Sequence, residues 1–127
     1  MDADAEFDLV VAEIERGLAR RRAPLAPAAD LAAAALDAIH ADQPLDGDLL
    51  VMVNGMGGTP LIELYVVYNE VHRYLTGKGA RVTRNLVGNY ITSLEMQGFS
   101  VTVCRLSDTL AQLWDAPVDT PALRWGR

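Results

Sequence analysis

The residues best placed to do chemistry are Asn54-Gly55-Met56-Gly57-Gly58-Thr59. They fall between an apolar run, Leu49 to Val53, and a helical pattern that opens at Pro60. At such a junction backbone amides point outward from the positive end of a helix, which suits an anion. Glycines let a ligand come close to the backbone. The loop lacks the lysine of a P-loop and the third glycine of a dinucleotide fingerprint. The same residues also suit a tight turn whose glycines only let a helix and a strand pack. Asn54, Gly55, Gly57, Gly58 and Thr59 therefore form a candidate ligand or partner loop, with both readings open.

Other reactive side chains are scattered. His40 and His72 have no cysteine or second histidine at metal-ligand spacing, so no metal site is expected. Surface solvation is the default for both. Cys104 sits in an alternating segment with nothing nearby in sequence to lower its pKa, so a small half-buried thiol is expected. Glu63, Glu70 and Glu95 are separate carboxylates. Trp114 and Trp125 read as packing anchors or as marks of an interface.

The elements that must position these groups fit one domain. The 127 residues suffice for a single core, which at this size buries roughly two-thirds of the unfolded chain's surface. Half the residues are hydrophobic and 22% charged, a globular composition. A net charge of -6 argues against nucleic acid as a partner. One cysteine excludes an internal disulfide and suits a reducing, cytoplasmic compartment. No apolar run approaches the roughly 20 residues that span a bilayer, so no membrane partner is expected.

Along the chain, Phe7, Val10, Val11, Ile14 and Leu18 recur at helical spacing after an acidic end at residues 1–5, predicting an amphipathic helix. Its stripe implies burial against this domain or against a second copy, a homodimer. Arg20, Arg21 and Arg22 suit a solvated helix end or a partner contact. Ala28 to Asp42 is alanine-rich and predicts a helix. Leu49 to Val53 predicts a strand covered on both faces, as parallel strands are. Thr59 is read as the N-cap and Pro60 as the first residue of the next helix. Leu61, Leu64, Tyr65, Tyr68, Val71 and Leu75 lie along one side of it, and Gly77-Lys78-Gly79 ends it. Arg81 to Val87 predicts a second strand, completing a βαβ unit. Gly88 to Gly98 is a connection with room for a short helical turn. Phe99 to Leu106 alternates as a strand, Ser107 caps a short helix through Trp114, and the tail packs extended along the domain. The fold class is α/β.

Three blocks, quoted in order, suggest a family. Val53-Asn54-Gly55-Met56-Gly57-Gly58-Thr59-Pro60-Leu61-Ile62-Glu63-Leu64-Tyr65 resembles the dihydroxyacetone (glycerone) kinase substrate-binding subunit near its C-terminal end. So do Arg84-Asn85-Leu86-Val87-Gly88-Asn89-Tyr90-Ile91-Thr92-Ser93-Leu94-Glu95-Met96 and Gly98-Phe99-Ser100. The ending Leu113-Trp114-Asp115-Ala116-Pro117 through Gly126 is similar to that family's terminus. The resemblance implies the second α/β subdomain of the subunit over residues 20–127, with a divergent helical segment at 1–19. It implies phosphorylation of dihydroxyacetone, held as a hemiaminal on a histidine. The phosphoryl group would come through a separate nucleotide-binding subunit, from ATP or a phosphotransferase-system phosphoprotein, with no cofactor bound by this chain.

The departures shape the functional expectation. The family's first subdomain, with its acid–base residues, has no counterpart here. Its Gly-Ile-His-Gly-Glu-Pro-Gly motif aligns with Glu13-Ile14-Glu15-Arg16-Gly17-Leu18-Ala19, which puts Glu15 at the histidine. A carboxylate cannot form the hemiaminal. Neither His40 nor His72 falls at a family catalytic position, so no catalytic residue carries over. The chain is expected to be a kinase component that is inactive alone, or a non-catalytic regulatory module.

Overall fold

The computed structural model describes residues 6–12 and 17–126, with side chains from Pro24 onward. Two strands open the chain, β1 (Glu6–Ala12) and β2 (Gly17–Pro24), followed by α1 (Ala28–Asp42). Then come β3 (Asp48–Gly55), α2 (Leu61–Gly77), β4 (Arg81–Gly88), β5 (Phe99–Arg105) and α3 (Asp108–Asp115). A small hairpin of β6 (Val118–Asp119) and β7 (Arg124–Trp125) ends it.

The main sheet runs β2-β1-β5-β3-β4. β3 pairs parallel with β4, β5 antiparallel with β3, and β1 parallel with β5. The unit β3–α2–β4 is thus the expected βαβ. β3 is an interior strand, but its residues alternate between buried and half-buried rather than being covered on both faces, and the sheet around it is mixed rather than all parallel.

The predicted N-terminal helix is a pair of strands instead. β1 pairs antiparallel with β2 from Glu6↔Pro24 to Ala12↔Gly17. Helical spacing of a few apolar residues is ambiguous in a segment this short. Phe7, Leu9 and Val11 also alternate, and a place in the ladder beside β5 decides for the strand. The three arginines therefore lie on an edge strand rather than at a helix end, and charge there discourages further pairing. Residues 1–5 and Ile14 lie outside the described residues.

α1 and α2 cover one face. Leu49, Val51 and Val53 of β3 point into it and are fully buried, as are Leu36, Leu64, Val71, Leu75 and Val101. α2 does not bury the whole predicted stripe. Leu64, Val67, Val71 and Leu75 are inside, while Leu61 and Tyr65 are about half exposed at 50% and 54%. At 3.6 residues per turn Tyr65 stands about 100° around the axis from Leu64, beyond the sheet's reach. The N-cap of α2 is Pro60, not Thr59, and it makes no side-chain cap. Gly79, at φ +86°, ends α2 as expected. Gly88 to Gly98 contains no helical turn.

Among the described residues, α3 lies on the opposite face, with the β6–β7 hairpin behind it. Ser107 caps it by accepting from the Leu110 amide at 3.2 Å. Trp125 stacks on Trp114 with centroids 5.1 Å apart, so the tail does pack back.

Helices α1 and α2 are clasped at their exposed side, where the Tyr74 hydroxyl donates to Asp37 Oδ1. Partial burial and the neighbouring carboxylate push the Tyr74 phenol up from 10.0 to about 12. The folded state thus holds this proton more tightly than the unfolded chain. The resulting stability is complete below pH 10 and is lost as pH rises toward 12. Denaturant midpoints measured from pH 8 upward should fall through this window, and Tyr74→Phe should flatten the fall.

Candidate functional site

The candidate loop sits where β3 ends and α2 begins, at the C-terminal end of the strand, as its sequence predicts. Open α/β sheets bind ligands at this end. What the sequence does not reveal is the partner of the loop. The segment from Gly88 to Gly98, between β4 and β5, folds directly onto it.

Asn54 is the centre of the contact. Its side chain is almost wholly buried, at 1% exposure. Nδ2 donates to the Ile91 carbonyl at 2.7 Å. Oδ1 accepts from the amides of Tyr90 and Ile91 at 2.8 and 2.9 Å. One carboxamide thus satisfies three backbone groups of a turn 36 residues away. Thr59 acts likewise at the other end of the loop. Its hydroxyl donates to the Gly98 carbonyl at 3.1 Å and accepts from the Gly98 amide at 2.8 Å. That role replaces the helix-capping one.

The glycines are explained by proximity. A Cβ on Gly57 would stand 2.2 Å from the Ser93 carbonyl oxygen, and Gly57 has φ +100°. One on Gly58 would stand 2.9 Å from the Glu95 carbonyl oxygen. One on Gly55 would meet Asn89 Oδ1 at 2.2 Å. The amide of Gly57 donates to Asn89 Oδ1 at 3.3 Å, and that of Gly58 to the Met96 carbonyl at 2.9 Å. The Met56 amide reaches the Gly98 carbonyl at 3.2 Å. The Ser93 hydroxyl donates to the Met56 carbonyl at 2.6 Å. The Met56, Gly57 and Gly58 amides of the glycine loop are therefore engaged by the second loop. Asn89 and Ser93 are the residues that sequence reading missed, although Gly88 and Gly98 bracket a polar stretch that signals a built loop.

Around this interlock the surface is apolar. Leu61, Ile62, Tyr65 and Val66 of α2 are at least half exposed, and Ile91, Leu94 and Met96 of the second loop are 74%, 100% and 56% exposed. A cavity of about 440 Å³ opens beside it, walled by Leu25, Leu31, Val66 and Phe99 with Thr59, Glu63 and Gln97 as polar groups.

The other sequence candidates do not join the loop. His40 is exposed at the end of α1, and His72 is half-buried beside Tyr68, ring centroids 6.1 Å apart. Cys104 is half-buried on the α3 face of the sheet. Glu63 and Glu95 are exposed, and Glu70 pairs with Arg73. Among the described residues no three histidine, cysteine or acidic side chains gather into a metal cluster. No helix of the described residues is long and apolar enough to cross a membrane. Glu15 lies outside the described residues.

Replacing Asn54 by alanine removes the partner of three backbone groups at once. The variant should lose about 1–3 kcal/mol of stability in urea unfolding. Amide exchange should quicken first at Tyr90 and Ile91, ahead of the strands.

Comparison with known proteins gives a consistent answer. Residues 7–122 match the Dak1 domain. The PEP-dependent dihydroxyacetone kinase, dihydroxyacetone-binding subunit DhaK, of Escherichia coli is 51% identical over 87 residues, 67% of this chain and 24% of that protein. The corresponding PTS-dependent kinase 1 subunit of Listeria innocua is 42% identical over 125 residues, 91% of this chain and 38% of that protein. The chain thus spans well under half the length of these relatives. Among solved structures, one described under regulation of the DHA operon of Lactococcus lactis superposes with a TM-score of 0.70 at 28% identity. It covers 76% of this chain and 32% of its own. The dihydroxyacetone kinase operon co-activator Dha-DhaQ gives 0.66 at 29% identity, over 77% and 32%. This fold, its glycine loop and the extent of the match agree: the chain belongs to the Dak1 domain family.

Proposed function

We propose that this chain is a component of a dihydroxyacetone (glycerone) kinase that works only with other polypeptides. The carrying observation is the match itself: residues 7–122 fit the Dak1 domain, and the stretches matched, 24% of the Escherichia coli protein and 38% of the Listeria one, belong to dihydroxyacetone-binding subunits. The remainder would supply the acid–base residues and most substrate contacts, and a nucleotide-binding subunit would deliver the phosphoryl group. ATP or a phosphotransferase-system phosphoprotein is the donor in this reading, through the partner, with no cofactor on this chain and a cytoplasmic location. Support comes from the sequence, where Glu15 aligns with the nucleophilic histidine, and from the scattered carboxylates and histidines of the described residues. The interlocked loops serve as a partner surface here, since the glycines and the Met56, Gly57 and Gly58 amides are occupied within the chain.

A second reading has its own support. The structural likeness to an operon co-activator favours a non-catalytic regulatory module built on the same fold. The neighbouring reading frames separate the two. A lone first subdomain beside this one favours the split kinase, and an intact full-length subunit favours regulation.

The purified chain, given dihydroxyacetone, ATP and a nucleotide-binding kinase subunit, should form no dihydroxyacetone phosphate. Intact-mass spectrometry with dihydroxyacetone should show no covalent adduct. Turnover or an adduct would overturn the proposal that this chain lacks the nucleophile.

A further inference from the structure

The strands β4, β3 and β5 set Arg84, Leu50 and Cys104 side by side in one row across the sheet, Arg84 opposite Leu50 and Leu50 opposite Cys104. This row faces away from α1 and α2 and lies under α3. A cavity of about 320 Å³ remains between them, walled by Leu50, Cys104, Leu106, Leu110, Leu113 and Trp114. α3 is amphipathic, yet none of its residues is buried, and Leu110 and Leu113 are 44% and 67% exposed. A helix of eight residues does not hold itself in water and depends on what it packs against.

Its attachments are few. Arg84 grips Asp115 with two parallel hydrogen bonds, Nε and Nη2 to the two carboxylate oxygens, each 2.6 Å. This is the strong, directional form of an ion pair. It raises the Arg84 pKa and lowers that of Asp115 through the paired charge and hydrogen bonds. The hairpin behind α3 is tied to α3 itself, with Trp125 on Trp114 and the Trp125 indole nitrogen donating to the Ala116 carbonyl at 2.8 Å. Thr120 bonds Leu123, and Arg124 pairs with Asp119. Among the described residues, the hydrogen bonds of 107–126 to the rest of the chain reduce to Arg84–Asp115. Just before this segment, the Leu106 amide is fixed to the Asp48 carbonyl at 2.8 Å, which marks the hinge.

We infer that residues 107–126 form a lid on the second face of the sheet, latched by Arg84–Asp115, which swings about Leu106 and uncovers the apolar row beneath. Opening leaves β3, β5 and the core under α1 and α2 intact, so it occurs far below the free energy of global unfolding.

Cys104, the chain's one cysteine, lies on the floor of the cavity and reports opening directly. The experiment is the rate at which an aromatic disulfide reagent labels the full native chain. Arg84→Gln and Asp115→Asn should each raise that rate about two- to fivefold, the range expected for losing an exposed ion pair. The double variant should label no faster than the singles, because they remove one interaction. The two substitutions change local charge in opposite senses. A direct electrostatic effect on the thiol would therefore split them, whereas opening moves both the same way. Arg73→Gln, which breaks an ion pair on α2, should leave the rate unchanged. Unaltered rates, rates of opposite sign, or increases that follow the urea midpoint of the whole chain would overturn the lid.

Discussion

The arrangement at the C-terminal ends of β3 and β4 depends on one buried carboxamide. Asn54 lies at the end of β3 and, through Tyr90 and Ile91, holds the start of a second loop that the Met56–Thr59 segment fixes further along. A charged or purely apolar side chain could not give one donor and two acceptor contacts from a fully enclosed position. The glycines follow from this. With the second loop drawn down, a Cβ at 57 or 58 would run into its backbone, and one at 55 into the Asn89 and Leu64 side chains. The motif that looks built for an anion is, in its geometry, a socket for another part of the same chain.

The two faces of the sheet are unequal in the same economical way. One carries two long helices and nearly all the buried apolar volume. The other has a single short helix standing off over a cavity. The exposed apolar residues of α2 and the second loop form a similar open boundary at the strand ends.

Much of this was legible in the residues, and the rest was not for definable reasons. Ala28–Asp42 read as a helix because alanine propensity and Pro44 fix both its nature and its end. The strand–loop–helix–strand unit read correctly because an apolar run, a glycine cluster and a 17-residue periodic stretch each carry a local signal. β1 misled because Phe7 and Val11 fit a helical stripe with Val10 and a strand alternation with Leu9, and only pairing with β2 and β5 separates the two. Leu61 and Tyr65 belong to an apolar face that the sheet underneath is too small to cover. The partner of the glycine loop was hidden because its contacts join positions more than thirty residues apart, which no local pattern encodes. Two of the three blocks that carry the family resemblance are, in the structure, two halves of this one contact.

Both tryptophans of the chain, Trp114 and Trp125, stack on each other in the segment beyond β5. Neither touches the layer between the sheet and the long helices. Indole emission from this protein therefore reports on its periphery and is blind to its interior. Fluorescence and far-ultraviolet dichroism will follow different events on denaturation, and two transitions seen that way need not imply an intermediate in the assembly of the core.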